Sequence, residues 1–201
     1  MKSVLICLGD SLTAGEGVGS EKTFPALLAA RYPTLHVLNQ GRSGWSTGSY
    51  LRRWPEVAAS LSELVPKEKE GWILIQLGAN DLRERGHRLE TITECRANLI
   101  TLISRLHKLL PSLEAVLVAP PTMFPVALSP RMREAGFSEK SPELLRRLRD
   151  SYQALAKHQN WHFIDLYYTL SPGNTLDGAH PTPAGLRELA EAISQQLLVT
   201  R

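Results

Sequence analysis

A serine and a histidine that could act together in acyl transfer stand near opposite ends of this 201-residue chain. Ser11 follows the first apolar run, in Gly-Asp-Ser-Leu-Thr at 9–13, and His180 lies in Asp-Gly-Ala-His-Pro at 177–181. A serine hydroxyl is a poor nucleophile until a base removes its proton, and a histidine oriented by a carboxylate is such a base. Asp177 precedes His180 across a glycine-containing turn. The pattern therefore predicts Ser11 as nucleophile, His180 as general base and Asp177 as the residue that orients the histidine.

Each half of this arrangement has a simpler interpretation when it is taken alone. A serine at the start of a loop is often a helix cap or a turn residue, and Asp177 and His180 could be turn and pre-helix residues. We expect the other histidines to be structural or exposed: His36, His87, His107, His158 and His162.

Acyl transfer also needs hydrogen-bond donors aimed at the oxyanion that forms on the attacked carbonyl. The glycine-rich segment 39–47 offers a backbone N–H that glycine leaves unobstructed, and segment 78–81 offers the side-chain amide of Asn80. The backbone N–H of Ser11 is a third candidate. Either segment could instead be an ordinary turn, because Asn and Gly are typical turn residues.

Five short apolar runs predict strands, and segments of helical period lie between them. Each predicted strand is rich in Val, Ile, Leu or aromatic residues and is bounded by Gly, Pro, Asn or Asp. The predicted strands are 4–8, 36–38, 72–77, 115–119 and 162–166. Apolar residues at three- and four-residue spacing predict helices over 24–31, about 50–64, 89–110, 142–159 and from 183 to about 197. Thr182 can cap the last helix, and Pro183 fits its first position.

Strands that alternate with helices imply parallel pairing with right-handed crossovers. We therefore expect one α/β domain over residues 1–201, a three-layer α/β/α sandwich with a central, mainly parallel five-stranded sheet. Ligands in such folds bind beyond the carboxyl ends of the strands. Ser11, Gly44 and Asn80 follow the first, second and third predicted strands, so they satisfy this rule.

Four segments, in this order, resemble the sequence blocks of the SGNH hydrolases, also called the GDSL esterase and lipase family. They are Gly-Asp-Ser-Leu-Thr at 9–13, the glycine-rich segment after the second strand, Gly-Ala-Asn-Asp at 78–81 and Asp-Gly-Ala-His-Pro at 177–181. The resemblance spans essentially the whole chain. It implies a flavodoxin-like SGNH hydrolase fold, with Ser11 as nucleophile, His180 as base and Asp177 as its orienting acid.

The same resemblance implies an oxyanion hole made by the N–H groups of Ser11 and Gly44 and by the amide of Asn80. The second block matches less closely than the other three. Gly44 fits best as the glycine of a Ser-Gly-x-Ser/Thr turn, and Gly41 is the alternative.

The resemblance further implies a serine esterase that cleaves a small-molecule carboxylic ester through an acyl-enzyme, without a metal or an organic cofactor. Members of this family act on short acyl esters, lysophospholipids, acyl thioesters and acetylated carbohydrates, and the sequence favours none of them. A carbohydrate O-acetylesterase is the alternative within enzymes. A non-catalytic ligand-binding protein on the same scaffold is the alternative from another class.

The irregular segment 120–141 contains four prolines and a glycine, and we expect it to be a lid or a specificity loop. Met123, Phe124 and Val126 in this segment, together with Trp45, could line an acyl pocket. They could equally be core residues.

Composition sets the remaining expectations. The formal net charge is only +3 and the basic residues are scattered, so we expect no nucleic-acid partner. Two cysteines, Cys7 and Cys95, are too few for a metal cluster or a disulfide framework. No segment approaches the roughly 18 apolar residues of a membrane span. We expect a cytoplasmic protein without stable membrane insertion, and the sequence gives no indication of its oligomeric state.

Overall fold

The computed structural model of the protein describes residues 3–67, 69–84 and 88–198. Five parallel strands form one sheet in the order β2-β1-β3-β4-β5. Their bounds are β1 Ser3–Gly9, β2 Leu35–Gly41, β3 Gly71–Gln76, β4 Leu113–Ala119 and β5 His162–Asp165. The three-layer α/β/α fold with a five-stranded parallel sheet is thus confirmed, and the predicted strands differ only in their ends.

Helices cover both faces of the sheet. Their bounds are α1 Ser11–Ala14, α2 Phe24–Arg31, α3 Thr47–Arg52, α4 Trp54–Leu64, α5 Ala79–Glu84, α6 Leu89–Leu109, α7 Pro130–Glu134, α8 Ser141–Gln159 and α9 Pro183–Ile193, which continues as a π-helical turn, Ser194–Leu198. Short 3-10 turns lie at Ser20–Lys22, Pro125–Ala127 and Pro172–Asn174. None of the described helices is both long and apolar enough to cross a membrane.

The core has two parts, one on each face of the sheet. Val4, Ile6 and Leu8 of β1 point to the face covered by α3 to α8, whereas Leu5 and Cys7 point to the face covered by α2 and α9. A parallel strand that is buried on both faces reads as a continuous apolar run, which is why β1 was recognisable in the sequence.

Two predictions about segments need correction. The predicted helix over 50–64 is two helices, α3 and α4, which meet at Arg53. Pro55 causes the break, because it lacks an N–H and is tolerated only in the first turn of a helix. The segment 120–141 is not wholly irregular, since it contains a 3-10 turn and α7, whose start is capped by the Ser129 side chain.

The strand order brings three loops to one place. The chain passes from β1 to β2 on one side and then to β3 on the other side of β1, so the sheet changes winding direction at β1. Loops that follow strands on the two sides of such a point diverge and leave a crevice at the carboxyl edge. The segments that follow β1, β2 and β3 carry Ser11, Gly44 and Asn80.

Candidate active site

The end of β1 and the start of α1 fix the position of Ser11. Asp10 caps α1, because its Oδ1 accepts the N–H of Leu12 at 3.0 Å. A Cβ at Gly9 would lie 2.1 Å from the Thr13 hydroxyl oxygen and 2.8 Å from the Gln76 carbonyl oxygen, so only glycine allows this close turn. Ser11 opens α1 and is 9 % exposed. Its hydroxyl therefore stands at the carboxyl edge of the sheet on a tightly packed support.

Ser11, His180 and Asp177 form one hydrogen-bonded chain. His180 Nε2 lies 3.0 Å from Ser11 Oγ, and His180 Nδ1 lies 2.8 Å from Asp177 Oδ2. The second carboxylate oxygen of Asp177 accepts the backbone N–H groups of Ala179 at 3.1 Å and His180 at 2.8 Å. The structure thus brings together the three residues that the sequence predicted to act together, although 169 positions separate Ser11 from His180.

The turn that carries Asp177 and His180 is held from two directions. The segment around the 3-10 turn Pro125–Ala127 supports it. The N–H of Phe124 donates to the Gly178 carbonyl at 2.8 Å, and the N–H of Ser129 donates to the Asp177 carbonyl at 3.1 Å. Gly178 has φ +85°, and a Cβ there would lie 2.6 Å from the Leu128 nitrogen. On the other side α9 starts at the predicted cap, where Thr182 Oγ1 accepts the Gly185 N–H at 3.2 Å.

Two carboxyl groups of the site differ in their ionisation. Burial would raise the pKa of Asp177, but hydrogen bonds from the backbone and ring of His180, with the charge of that ring, lower it below its usual value. Asp10 is 1 % exposed, and desolvation by burial raises its pKa to about 7, against the opposing hydrogen bond from Leu12. Asp177 is therefore suited to remain a carboxylate beside the histidine, whereas Asp10 exchanges its proton near neutral pH.

The two candidate oxyanion segments face the same cavity as Ser11. Gly44 has φ +78°, which the loop after β2 requires, and lines the cavity with Ser43 and Asn80. Asn80 lies in the first turn of α5, and its Nδ2 donates to the Trp45 carbonyl at 3.0 Å. Gly41 belongs to β2, and a Cβ there would lie 2.2 Å from the Ala14 nitrogen. Gly44 rather than Gly41 therefore faces the cavity.

The cavity has a volume of about 440 Å³ and two unlike sides. One side, the catalytic edge, comprises the polar lining residues Asp10, Ser11, Gly44, Asn80 and His180, together with Asp177, which does not line the cavity but binds the His180 ring. The other side, the pocket wall, is apolar and comes from segment 120–141: Pro121, Met123, Met132, Ala135 and Phe137. Glu16, Arg83 and Arg131 add charged groups to the lining.

Segment 120–141 does line the site, but most of its pocket residues were missed. Of the four residues weighed for an acyl pocket, only Met123 lines the cavity. Trp45 packs edge-on against Tyr50 with ring centroids 5.0 Å apart, Phe124 packs on the core beside α2 and α9, and Val126 is 92 % exposed. No local pattern could have indicated Met132 and Phe137, because Met132 lies in a five-residue helix and Phe137 follows that helix at a spacing that is not helical.

The other described histidines and the two cysteines do not line the cavity. His162 Nε2 contacts Glu114 at 2.7 Å near the amino-terminal ends of β4 and β5, and sequence spacing could not reveal this partner. His87 is outside the described residues. Cys7 and Cys95 are buried and unpaired with each other. Among residues 3–67, 69–84 and 88–198, no group of three or more His, Cys, Asp or Glu side chains could hold a metal ion.

Several known esterases are similar to this chain. A model of the GDSL-like lipase/acylhydrolase family matches residues 7–187. An arylesterase of Vibrio mimicus is 28 % identical over 96 % of this chain and 88 % of its own length. Among solved structures, a carbohydrate acetylesterase from Sinorhizobium meliloti has a TM-score of 0.78 at 23 % identity, with full coverage of both chains. An aryl esterase of M. smegmatis has a TM-score of 0.74 at 22 % identity over 97 % of this chain and all of that one.

Proposed function

Because this chain belongs to the GDSL-like lipase/acylhydrolase family and is a carboxylic ester hydrolase, we propose that Ser11, His180 and Asp177 are its catalytic triad. The observation that carries the proposal is the hydrogen-bonded chain from Ser11 Oγ through both ring nitrogens of His180 to Asp177 Oδ2, with distances of 3.0 and 2.8 Å. Its serine end opens into the cavity.

In the acylation step, Ser11 Oγ attacks the ester carbonyl while His180 Nε2 takes the hydroxyl proton. Asp177 keeps the Nδ1–H tautomer in place and stabilises the imidazolium that forms. The C–O bond to the alcohol then breaks, and the alcohol leaves with the proton from His180. Water repeats the sequence on the acyl-enzyme, which releases the acid and restores Ser11.

The oxyanion of each tetrahedral intermediate is held by the N–H groups of Ser11 and Gly44 and by the Asn80 amide. One hydrogen of that amide already binds the Trp45 carbonyl, so the other is free to point into the cavity. Donors that are fixed before reaction stabilise the developing charge without reorganisation, and this stabilisation accounts for much of the rate enhancement in acyl transfer.

The pocket wall favours small esters with an apolar acyl or aryl group. A cavity of about 440 Å³ lies in the lower part of the range for small-molecule sites, and its wall offers two methionines and a phenylalanine. The Vibrio mimicus relative is an arylesterase, which agrees with this chemistry.

An O-acetylated carbohydrate is the second candidate substrate. Glu16, Arg83 and Arg131 line the same cavity and could bind sugar hydroxyl groups. Two structural neighbours, the Sinorhizobium meliloti carbohydrate acetylesterase and an acetylxylan esterase from Geobacillus stearothermophilus, are named for such substrates.

Hydrolysis of phenyl acetate, of a p-nitrophenyl ester series from acetate to laurate and of acetylated xylo-oligosaccharides tests both candidates. We expect the highest kcat/KM with short aryl esters and a loss of at least about 10⁴-fold in kcat for Ser11→Ala. A fluorophosphonate should label the wild type but not this variant. An exposed serine, Ser171, gives the control Ser171→Ala. If the wild type and Ser11→Ala are both well folded, equally inactive and not labelled, a non-catalytic ligand-binding protein is favoured instead.

A further inference from the structure

The loop that carries Gly44, residues 42–46, is fixed on both sides by hydrogen bonds. At its start the Arg42 N–H donates to the Gly9 carbonyl at 2.8 Å, and Gly9 immediately precedes Asp10 and Ser11 in the chain. At its end the Trp45 carbonyl accepts from Asn80 Nδ2 at 3.0 Å. Gly44 itself stands between these two anchors with φ +78°.

A buried carboxylate, Asp81, fixes the residue that follows this loop. Asp81 Oδ2 accepts the backbone N–H of Thr47 at 2.9 Å, and Asp81 Oδ1 accepts the Thr47 hydroxyl. Asn98 Nδ2 on α6 donates to the same hydroxyl oxygen at 3.0 Å. Asp81 is 2 % exposed and Thr47 is fully buried, so water does not compete for these bonds. Hydrogen bonds in such low-dielectric surroundings are strong and directional.

Consecutive residues of α5 therefore hold both sides of the same peptide segment. Asn80 binds the Trp45 carbonyl, and Asp81 binds the Thr47 N–H two residues later. The loop that carries one proposed oxyanion donor, Gly44, is thus joined to the helix that carries the other, Asn80. The hydrogen bonds between Asp81 and Thr47 are called the clamp below. Asp81 and Thr47 do not line the cavity, so their contacts act on the segment and not on a substrate.

We propose that Asp81 and Thr47 are positioning residues that set the Gly44 N–H against the Asn80 amide and so preorganise the oxyanion hole. This proposal rests on the triad and oxyanion roles given above. Without the clamp, the peptide groups of the loop can rotate. Aligning the Gly44 N–H with the oxyanion then costs free energy in each tetrahedral transition state. The ground-state ester is held mainly by the pocket wall, to which neither Asp81 nor Thr47 belongs. The defect should therefore appear in kcat and not in KM.

Thr47→Val tests the proposal because valine has nearly the shape of threonine and keeps the backbone N–H. The variant removes the hydroxyl that joins Asp81 to Asn98, whereas Thr47→Ser keeps it. With phenyl acetate we expect about tenfold lower kcat for Thr47→Val, since removal of a whole oxyanion donor costs 10²- to 10³-fold. KM should stay within twofold, and Thr47→Ser should recover most of the activity. Asp81→Asn should show a larger loss of the same kind.

Binding of phenylboronic acid distinguishes positioning from general structural damage. Its tetrahedral adduct with the catalytic serine needs the oxyanion donors, so its inhibition constant should rise in proportion to the loss of kcat. Active-site titration with a fluorophosphonate corrects every rate for the fraction of competent protein. Thr101→Val is the control, because the Thr101 hydroxyl binds the Ala97 carbonyl on the exposed side of α6, at 3.0 Å.

Two results would overturn the proposal. One is a corrected kcat within twofold of wild type for Thr47→Val. The other is a lower kcat with unchanged boronate affinity. If Asp81→Asn does not fold, the valine and serine variants still decide. A Ser11→Ala variant that retained full activity would instead refute the triad itself, so the two failures are distinguishable.

Discussion

The catalytic edge and the pocket wall face each other across one cavity but hold their side chains by different means. On the catalytic edge, His180 and Asn80 each have a polar partner at 2.8–3.0 Å that fixes the direction of a particular atom. On the pocket wall, Met132 and Phe137 are 6 % and 5 % exposed and are held by apolar packing. Hydrogen bonds have direction and dispersion contacts do not.

This difference indicates how each side should respond to substitution. Proton transfer and oxyanion binding need atoms within tenths of an ångström, so loss of one directional contact on the edge removes most of the rate. Selection of an acyl group needs only volume and apolar surface, so substitutions in the pocket wall should change the preference among acyl groups by moderate factors. Substitutions on each side test this difference.

Among the substitutions that test this difference, Asp177→Asn should have the largest effect. The amide can still accept the backbone N–H groups of Ala179 and His180, but its NH₂ would meet His180 Nδ1 and favour the wrong tautomer. We expect kcat for phenyl acetate to fall about 10³- to 10⁴-fold while KM changes little. Asp150→Asn on the exposed side of α8 is the control. A loss below tenfold would mean that direction at this contact matters little.

The next effect concerns stability and pH at Asp10. The pKa of this carboxyl is about 7 in the folded protein and close to 4 in an unfolded chain. The folded state therefore binds the proton more tightly, and wild-type stability falls as pH rises from about 4 to about 7. Asn cannot ionise and can still accept the Leu12 N–H.

Asp10→Asn should accordingly be more stable than wild type by about 2–4 kcal/mol at pH 8, with the difference vanishing near pH 4. Urea unfolding at pH 4, 6 and 8 measures this. A constant difference over that range would show that the carboxyl does not titrate in the folded protein. The predicted trend would mean that the catalytic edge carries a stability cost that the pocket wall does not.

The same contrast explains how far the sequence could be interpreted. Ser11, Asn80 and the Asp177–His180 pair lie within a few residues of strand or helix ends that periodicity and capping residues mark. Their chemistry needs particular residue types at short spacing, so local patterns identify them. The sheet was predictable for a similar reason, because β1 and β3 are continuous apolar runs.

The pocket wall could not be predicted, because its side chains meet only in the folded chain. Met132 and Phe137 lie in and after a five-residue helix, and their inward direction depends on how segment 120–141 packs into the core on that face of the sheet. The Asp81–Thr47 contact was missed for the same reason. It spans 34 positions, and neither residue forms a local pattern with the other.

Phe137→Leu should change the preference among substrates by a moderate factor. The smaller side chain deepens the cavity, and each added methylene in an apolar pocket is worth about 1–3 kcal/mol. We expect the ratio of kcat/KM for p-nitrophenyl octanoate to that for the acetate to rise about tenfold. Phe24→Leu, in the core on the other face of the sheet, should leave the ratio unchanged. A fall in kcat for all esters would instead show that Phe137 affects the catalytic step, as the residues of the catalytic edge do.

The smallest expected effect concerns Arg83 and Arg131, the two arginines that line the cavity. Arg131 is paired with Glu16 at 3.1 Å, and its side chain is 83 % exposed, so solvent screens its charge. Arg83 is half-buried, and its contact among the described residues is a long one to the Gly44 carbonyl, at 3.4 Å. Its charge is therefore available to an anionic group on a substrate.

Arg83→Met should lower kcat/KM for the monophenyl ester of succinic acid about fivefold relative to neutral phenyl butyrate. Arg131→Met should change this ratio less than twofold, and added salt should reduce the effect of Arg83→Met. If Arg83→Met lowers the rates of both esters equally, Arg83 acts on the Gly44 loop and belongs with the hydrogen-bonded edge. If only the anionic ester responds, the cavity selects charge through a single contact outside the pocket wall.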